Sequence, residues 1–272
     1  MMHQGFYRGQ YLFNPVSRRN KARKVTAVLS DHLSTPLASL SCLEVGCSFG
    51  IMTKYFAQAF KWVVGSDINQ DAISSAARES TTQAKFIVAD GAYLPFRDES
   101  FDVVICTQVY EHARNPTKLS EEIWRVLRQG GVCFFSGPNK LSLIEGHTGL
   151  PLIQWLPRRF ADWLVRLLKR GDNFEVNLMT YWELRQLWRN FVIIDYGPTL
   201  ITNPTRFSLS EEVPRIFALM PSTIYQLLAF AIPNLNWVLI KPVKGGQCAA
   251  GPSGCFRNTS GGGSQDVYPE HY

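Results

Sequence analysis

The residues best suited to chemistry sit where short apolar runs give way to small or charged residues. The first such place is Leu43-Glu44-Val45-Gly46-Cys47-Ser48-Phe49-Gly50, an apolar run that turns at a glycine into a helical pattern. Glycine there lets the backbone bend tightly and come close to a ligand. The second is Asp67, at the end of the next apolar run and about 20 residues beyond that glycine. In nucleotide-binding α/β folds an acid at that point accepts hydrogen bonds from ribose hydroxyls. The third is Asp90, followed by Gly91 and Ala92, where a carboxylate can meet the exocyclic amine of adenine. Any one acid also reads as a helix cap or turn residue. Three successive strand ends carrying such groups point to a nucleotide-like ligand at the carboxyl edge of a parallel sheet.

A fourth run ends in Gln108-Val109-Tyr110-Glu111-His112, on the edge where a second substrate would enter. The unperturbed pKa of His112 lies near neutrality, so it could take a proton, with Glu111 beside it. The alternative is that Glu111 and His112 only cap a turn. Past the fifth run, Gly137-Pro138-Asn139-Lys140-Leu141-Ser142-Leu143-Ile144-Glu145-Gly146-His147 carries Asn139, Glu145 and His147. These polar groups could line an acceptor site, or satisfy loop backbone instead.

The elements that must position these residues are legible in the apolar periodicity. Strand candidates are Cys42–Val45, Trp62–Ser66, Phe86–Ala89, Phe101–Thr107 and Val132–Ser136, with Phe191–Asp195 and Asn236–Val243 further on. Helical patterns cover Ile51–Phe60, Gln70–Glu79 and Pro116–Leu127, and an earlier helix starts at Asn14-Pro15. Strand–helix alternation predicts an α/β fold, a Rossmann-like seven-stranded and mostly parallel sheet with helices on both faces. Two stretches break the rhythm, at about 137–179 and 198–235, and are expected to form a helical cap. The expected division is an N-terminal helical segment over 1–40, a ligand-binding domain over 41–243 and a tail over 244–272. That tail is rich in Gly and Ser and should be disordered. Thr180-Tyr181-Trp182-Glu183 is a capping box.

With these motifs assembled, the chain resembles class I S-adenosylmethionine-dependent methyltransferases, in particular the type 11 family. LEVGCSFG resembles their first motif and VVGSDIN their second. IVADGAYLPFRDESFDVVICTQVYEHARNP followed by IWRVLRQGGV resembles the rest of their core. The resemblance implies S-adenosyl-L-methionine as cofactor. It implies contacts from Glu44, Gly46, Cys47, Ser48 and Gly50, from Asp67 and Ile68, from Asp90, Gly91 and Ala92, and from Gln108. It implies methyl transfer to a small-molecule, glycan or lipid-linked acceptor, at oxygen, or else a binding protein that has kept the fold without the activity. Some related oxygen-methylating enzymes use an acid-x-x-Glu-His cluster for magnesium. Gln108 replaces that first acid here, and no metal is expected.

Other classes fit less well. Gly46-Cys47-Ser48-Phe49-Gly50 matches the nucleophile elbow of α/β-hydrolases, but that reading leaves Asp67 and Asp90 unexplained. A nicotinamide dehydrogenase would want a second glycine where Ser48 stands. No Asn/Asp-Pro-Pro-Tyr stretch is present, so no nucleic-acid partner is expected. The six cysteines form no C-x-x-C pair, and the net charge of +6 is a weak pointer to an anionic partner. Arg18, Arg19, Lys21, Arg23 and Lys24 read as a solvated helix face or an anion-binding one. Over Arg158–Arg170, Phe160, Trp163, Leu164, Leu167 and Leu168 share one helix face, with basic residues off it. That helix either packs on the domain or lies on a membrane surface. The expected location is the cytoplasm, with peripheral membrane contact in the second case.

Overall fold

The computed structural model describes residues 14–142, 150, 152–168, 176–209, 225 and 232–243. Its frame is a seven-stranded sheet: β1 (Ser41–Val45), β2 (Trp62–Asp67), β3 (Ala84–Val88), β4 (Phe101–Thr107), β5 (Leu127–Pro138), β6 (Val192–Asp195) and β7 (Asn234–Ile240). The order is β3-β2-β1-β4-β5-β7-β6. β1 to β5 run parallel, and β7 lies antiparallel between β5 and β6. The fold is the expected Rossmann-like, mostly parallel α/β sheet.

Every residue of β1 is buried, as suits a strand covered on both faces. Along β4 the side chains alternate. Val103 and Ile105 enter a core with α1 (Pro15–His32) and α2 (Ile51–Phe56). Val104 and Cys106 enter a second core, with α4 (Pro116–Val126) and α6 (Tyr181–Leu187). The third helix in chain order, α3 (Gln70–Ala77), packs on β2 and β3. Cys42, Cys47, Cys106 and Cys133 are free and buried, where they act as small apolar side chains.

Several boundaries differ from the sequence expectation. β5 begins at Leu127 rather than Val132, because Leu127 already pairs with Phe101 before a register shift. Gly130, at φ +74°, lets the strand bend there. A short helix, α7 (Gly197–Thr202), stands at the start of the second rhythm-breaking stretch, where a helical cap was expected without bounds for its helices. In the first stretch, α5 runs Arg158–Leu167, shorter than expected. The capping box forms: Thr180 Oγ1 accepts from the Glu183 N–H at 3.3 Å, and Glu183 accepts from the Thr180 N–H at 2.7 Å. The 244–272 tail lies outside the described residues. Among the described residues no helix is long and apolar enough to cross a membrane.

Candidate active site

β1 and β4 are neighbours from which the chain departs in opposite directions, toward β2 and β3 on one side and β5 on the other. A crevice opens at the carboxyl ends of strands at such a reversal. The turn after β1 fills this position with unusual backbone. Gly46, Ser48 and Gly50 have φ of +74°, +50° and +70°, and Gln108 after β4 has +56°. A non-glycine residue in that region is strained, and such strain gathers at functional sites. The glycines answer first to the protein itself. A Cβ on Gly46 would lie 2.6 Å from Val109 Cγ2, and one on Gly50 would strike the Phe86 ring. Gly91 is similarly pressed, with Leu119 Cδ1 at 2.8 Å.

Asp67 is buried at the end of β2 and holds this turn. Its Oδ2 accepts the Ser48 N–H at 2.8 Å and its Oδ1 the Asn69 N–H at 2.9 Å. The N–H groups of Gly46 and Cys47 both donate to the Ser66 carbonyl. Ser48 is thus bound to Asp67 through its backbone. Ile68, next along, is half exposed at the same edge. Asp90 closes its own turn by accepting the Ala92 N–H at 2.9 Å. Glu44, inside β1, is buried, and the Thr53 hydroxyl donates to it at 2.5 Å. Burial pushes its carboxyl up to about 7; the Thr53 bond and the Arg18 charge pull it back, and the Asp67 charge raises it. The Cys47 thiol is pushed up by burial and then by Glu44 and Asp67, which leaves it a poor nucleophile.

Across the crevice, Glu111 is fully buried and His112 about a quarter exposed, with His112 Nε2 3.9 Å from Glu111 Oε1. That is too long for a hydrogen bond. Gln108 donates its N–H to the Ser136 carbonyl at 2.8 Å and its side-chain amide to Asn234 at 3.2 Å. The same turn clamps both ends of the stretch that follows β5. Tyr110 donates its hydroxyl to the Pro138 carbonyl and accepts the Met179 N–H, and the Asn177 N–H donates to the Glu111 carbonyl. Asn139 is buried beside this clamp, its side chain bonded to the Leu141 N–H and the Ile232 carbonyl. That is the loop-satisfying role weighed for it. Glu145 and His147 lie outside the described residues. Among those described, no three His, Cys, Asp or Glu side chains gather as metal ligands would.

One feature of the site was read from sequence only as one of two alternatives, and a second went unread. Arg18, Lys21 and Lys24, spaced by three on α1, run along the carboxyl edge. Arg18 lines a small cleft with Cys47 and Ser48, and Lys21 and Lys24 line another with Thr107, Gln108, Ser136 and Asn234. Lys24 Nζ donates to Asn236 at 2.8 Å. Their spacing was the available signal, hidden because charged helix residues so often face only water. The second feature is Glu122 with Arg125 on α4. Glu122 accepts the Leu94 N–H at 2.8 Å, and Arg125 donates to the carbonyls of Phe96 and Leu94 and to Asp98. Together they pin the loop that leaves Asp90. The Arg125 hydrogen bond holds the Glu122 carboxyl below its ordinary range.

The fold is the one seen in solved methyltransferase structures. Residues 43–135 match the family described as a methyltransferase domain. An uncharacterised protein of Methanocaldococcus jannaschii is 40% identical over 86 residues, 32% of this chain and 40% of that protein. A ubiquinone biosynthesis O-methyltransferase of Methylococcus capsulatus is 33% identical over 148 residues, 51% of this chain and 56% of the relative. The chain thus spans about half the length of such curated relatives. Among solved structures, a plantazolicin methyltransferase in complex with a substrate analogue and SAH superposes with a TM-score of 0.55 at 20% identity, over 85% of this chain and 86% of that one.

Proposed function

We propose that this chain transfers the methyl group of S-adenosyl-L-methionine to an oxygen of a small-molecule, glycan or lipid-linked acceptor. One observation carries the reading: a left-handed glycine turn, fastened by a strand-end carboxylate, stands at the sheet's reversal point inside the segment that matches the methyltransferase family. The crevice suits the cofactor chemically. Asp67 and Asp90 offer acceptors for ribose and adenine at successive strand ends, half-exposed Ile68 offers an apolar edge, and the turn supplies close backbone. The ubiquinone-pathway relative, by its name an O-methyltransferase, supports oxygen as the target.

When bound, the cofactor supplies a methyl group already activated on a sulfonium. The chain's task is then alignment of the acceptor, which is worth roughly 7–11 kcal/mol. His112 is the base for a hydroxyl acceptor. Its Nε2 lies 3.9 Å from Glu111 Oε1, so its other ring nitrogen is the one left to face an acceptor. Such a base contributes roughly 2–4 powers of ten. Lys21 and Lys24 favour an acceptor with a negative group. The cofactor-binding domain is residues 41–243, with Lys21 and Lys24 of α1 reaching its site, and it works in the cytoplasm without nucleic acid or metal.

Calorimetry with S-adenosyl-L-methionine tests the first half. Asp67→Ala should bind about tenfold or more weakly, since hydrogen bonds to a charged group are worth roughly 1.5–3 kcal/mol. Mass spectrometry of extracts, seeking a product heavier by one methylene, tests the second. His112→Gln should keep cofactor affinity and lose transfer. Absence of cofactor binding overturns the reading; binding without any transfer makes the chain a binding protein of this fold.

A further inference from the structure

Helix α5 is turned the opposite way from a helix that belongs to a core. Its small side chains, Ala161 and Val165, are fully buried in a minor cluster with Ile153, separate from both sheet cores. Leu164 packs partly on that cluster, but the other large side chains point outward: Phe160, Trp163 and Leu167 are 64%, 58% and 59% exposed. Leu168 after the helix, and Leu152, Trp155 and Leu156 before it, are exposed as well. Trp155 is anchored by its Nε1–H, which donates to the Lys140 carbonyl at 2.8 Å, so its ring is presented rather than loose. On the helical wheel Phe160, Trp163 and Leu167 fall within one narrow arc, and exposed Arg159 and Arg166 lie on the flank beside Trp163.

Isolated exposed apolar residues are ordinary, but a contiguous set on one helix marks a binding surface. We infer that this face docks on the headgroup layer of an anionic lipid membrane, with Phe160, Trp163 and Leu167 entering the interface and Arg159 and Arg166 meeting lipid phosphates. The argument for lipid is complementarity. Tryptophan with an apolar body and a polar tip suits the boundary between acyl chains and water, and flanking arginines suit anionic headgroups. The whole chain carries +6, which favours the same partner. Position ties the docking to the site. The stretch holding α5 is fastened at both ends to the turn of Tyr110 and Glu111, and Trp155, three residues before α5, bonds back to Lys140 beside that clamp. This names the membrane partner within the reading above, yet docking itself needs no methyl transfer and is measured apart from it.

The test is flotation of the full chain with vesicles of phosphatidylcholine alone and with added phosphatidylglycerol, at low and high salt. The native protein should float with the anionic vesicles at low salt and less at high salt, because screening weakens the arginine contacts. Phe160→Ser/Trp163→Ser should lower vesicle affinity by about tenfold or more, and Arg159→Glu/Arg166→Glu should remove the preference for phosphatidylglycerol. Both should keep native circular dichroism and cofactor affinity, which separates a failed membrane reading from a failed methyltransferase reading. No flotation of the native protein at low salt overturns the inference, as does equal flotation of native and serine variants. If the serine substitutions instead convert a dimer to a monomer in light scattering, the face belongs to a second copy of the chain and the lipid inference fails.

Discussion

Glu44 is a buried acid inside a sheet, and its titration should be visible in the stability of the whole protein. Its native carboxyl titrates at about 7, against 4.5 in an exposed chain. The native state therefore holds this proton more tightly than the unfolded state does. Stability falls as pH rises from about 4.5 to about 7, and this contribution is flat above that. At about 1.4 kcal/mol per pH unit the whole loss is about 3 kcal/mol, of which about 2.5 falls between pH 5 and pH 8. Glu44→Gln keeps the shape, can still accept from Thr53, and cannot ionise. Urea unfolding of both proteins at pH 5, 6, 7 and 8 isolates the effect, because every other titrating group cancels in the difference. Relative to native, Glu44→Gln should gain about 2.5 kcal/mol from pH 5 to pH 8. A difference that stays level across that range would refute the assignment of a neutral, desolvated Glu44.

Gly46→Ala should cost about 1–3 kcal/mol, from left-handed backbone and from contact with Val109. Gly46→Ala/Val109→Ala should then cost less than the sum of the single changes, as measured by denaturant titration. Arg125→Met should cost about 1.5–3 kcal/mol by leaving Glu122 and two loop carbonyls short of donors. It should also speed hydrogen exchange of the Leu94 amide; unchanged exchange would show that the loop is held otherwise.

The central sheet was legible because each strand is a short apolar run that ends at a residue with a fixed backbone task, as Val45 does before Gly46 and Ser66 before Asp67. The early part of β5 was not, since Arg128-Gln129-Gly130-Gly131 has neither apolar alternation nor strand propensity and is held by bonds to distant segments, from Arg128 to Asp102 and between Gly130 and Lys241. Helix α7 was hidden by its shortness, at six residues. The periodicity of α5 announced an apolar face correctly but could not say what covers it, and packing on Ala161 and Val165 leaves that face outside. At the site, spacing pointed to Asp67 and Asp90. It could not show that their oxygens already serve the turns of Ser48, Asn69 and Ala92, since those bonds join segments by folding.

The antiparallel seat of β7 also sets an order of assembly. Residues 41–138 bring five parallel strands together as they leave the ribosome, each beside a neighbour already made. β6 comes next in sequence, and its one partner among the described residues is β7, which begins only at Asn234. Until then β5 presents an open flank, and β6 waits as a lone strand. Exposed strand flanks of this kind invite pairing with other chains. β7, the last strand among the described residues, is therefore a keystone, closing two gaps at once. A chain cut short between residues 196 and 233 would leave the β5 flank and β6 both unpaired by β7.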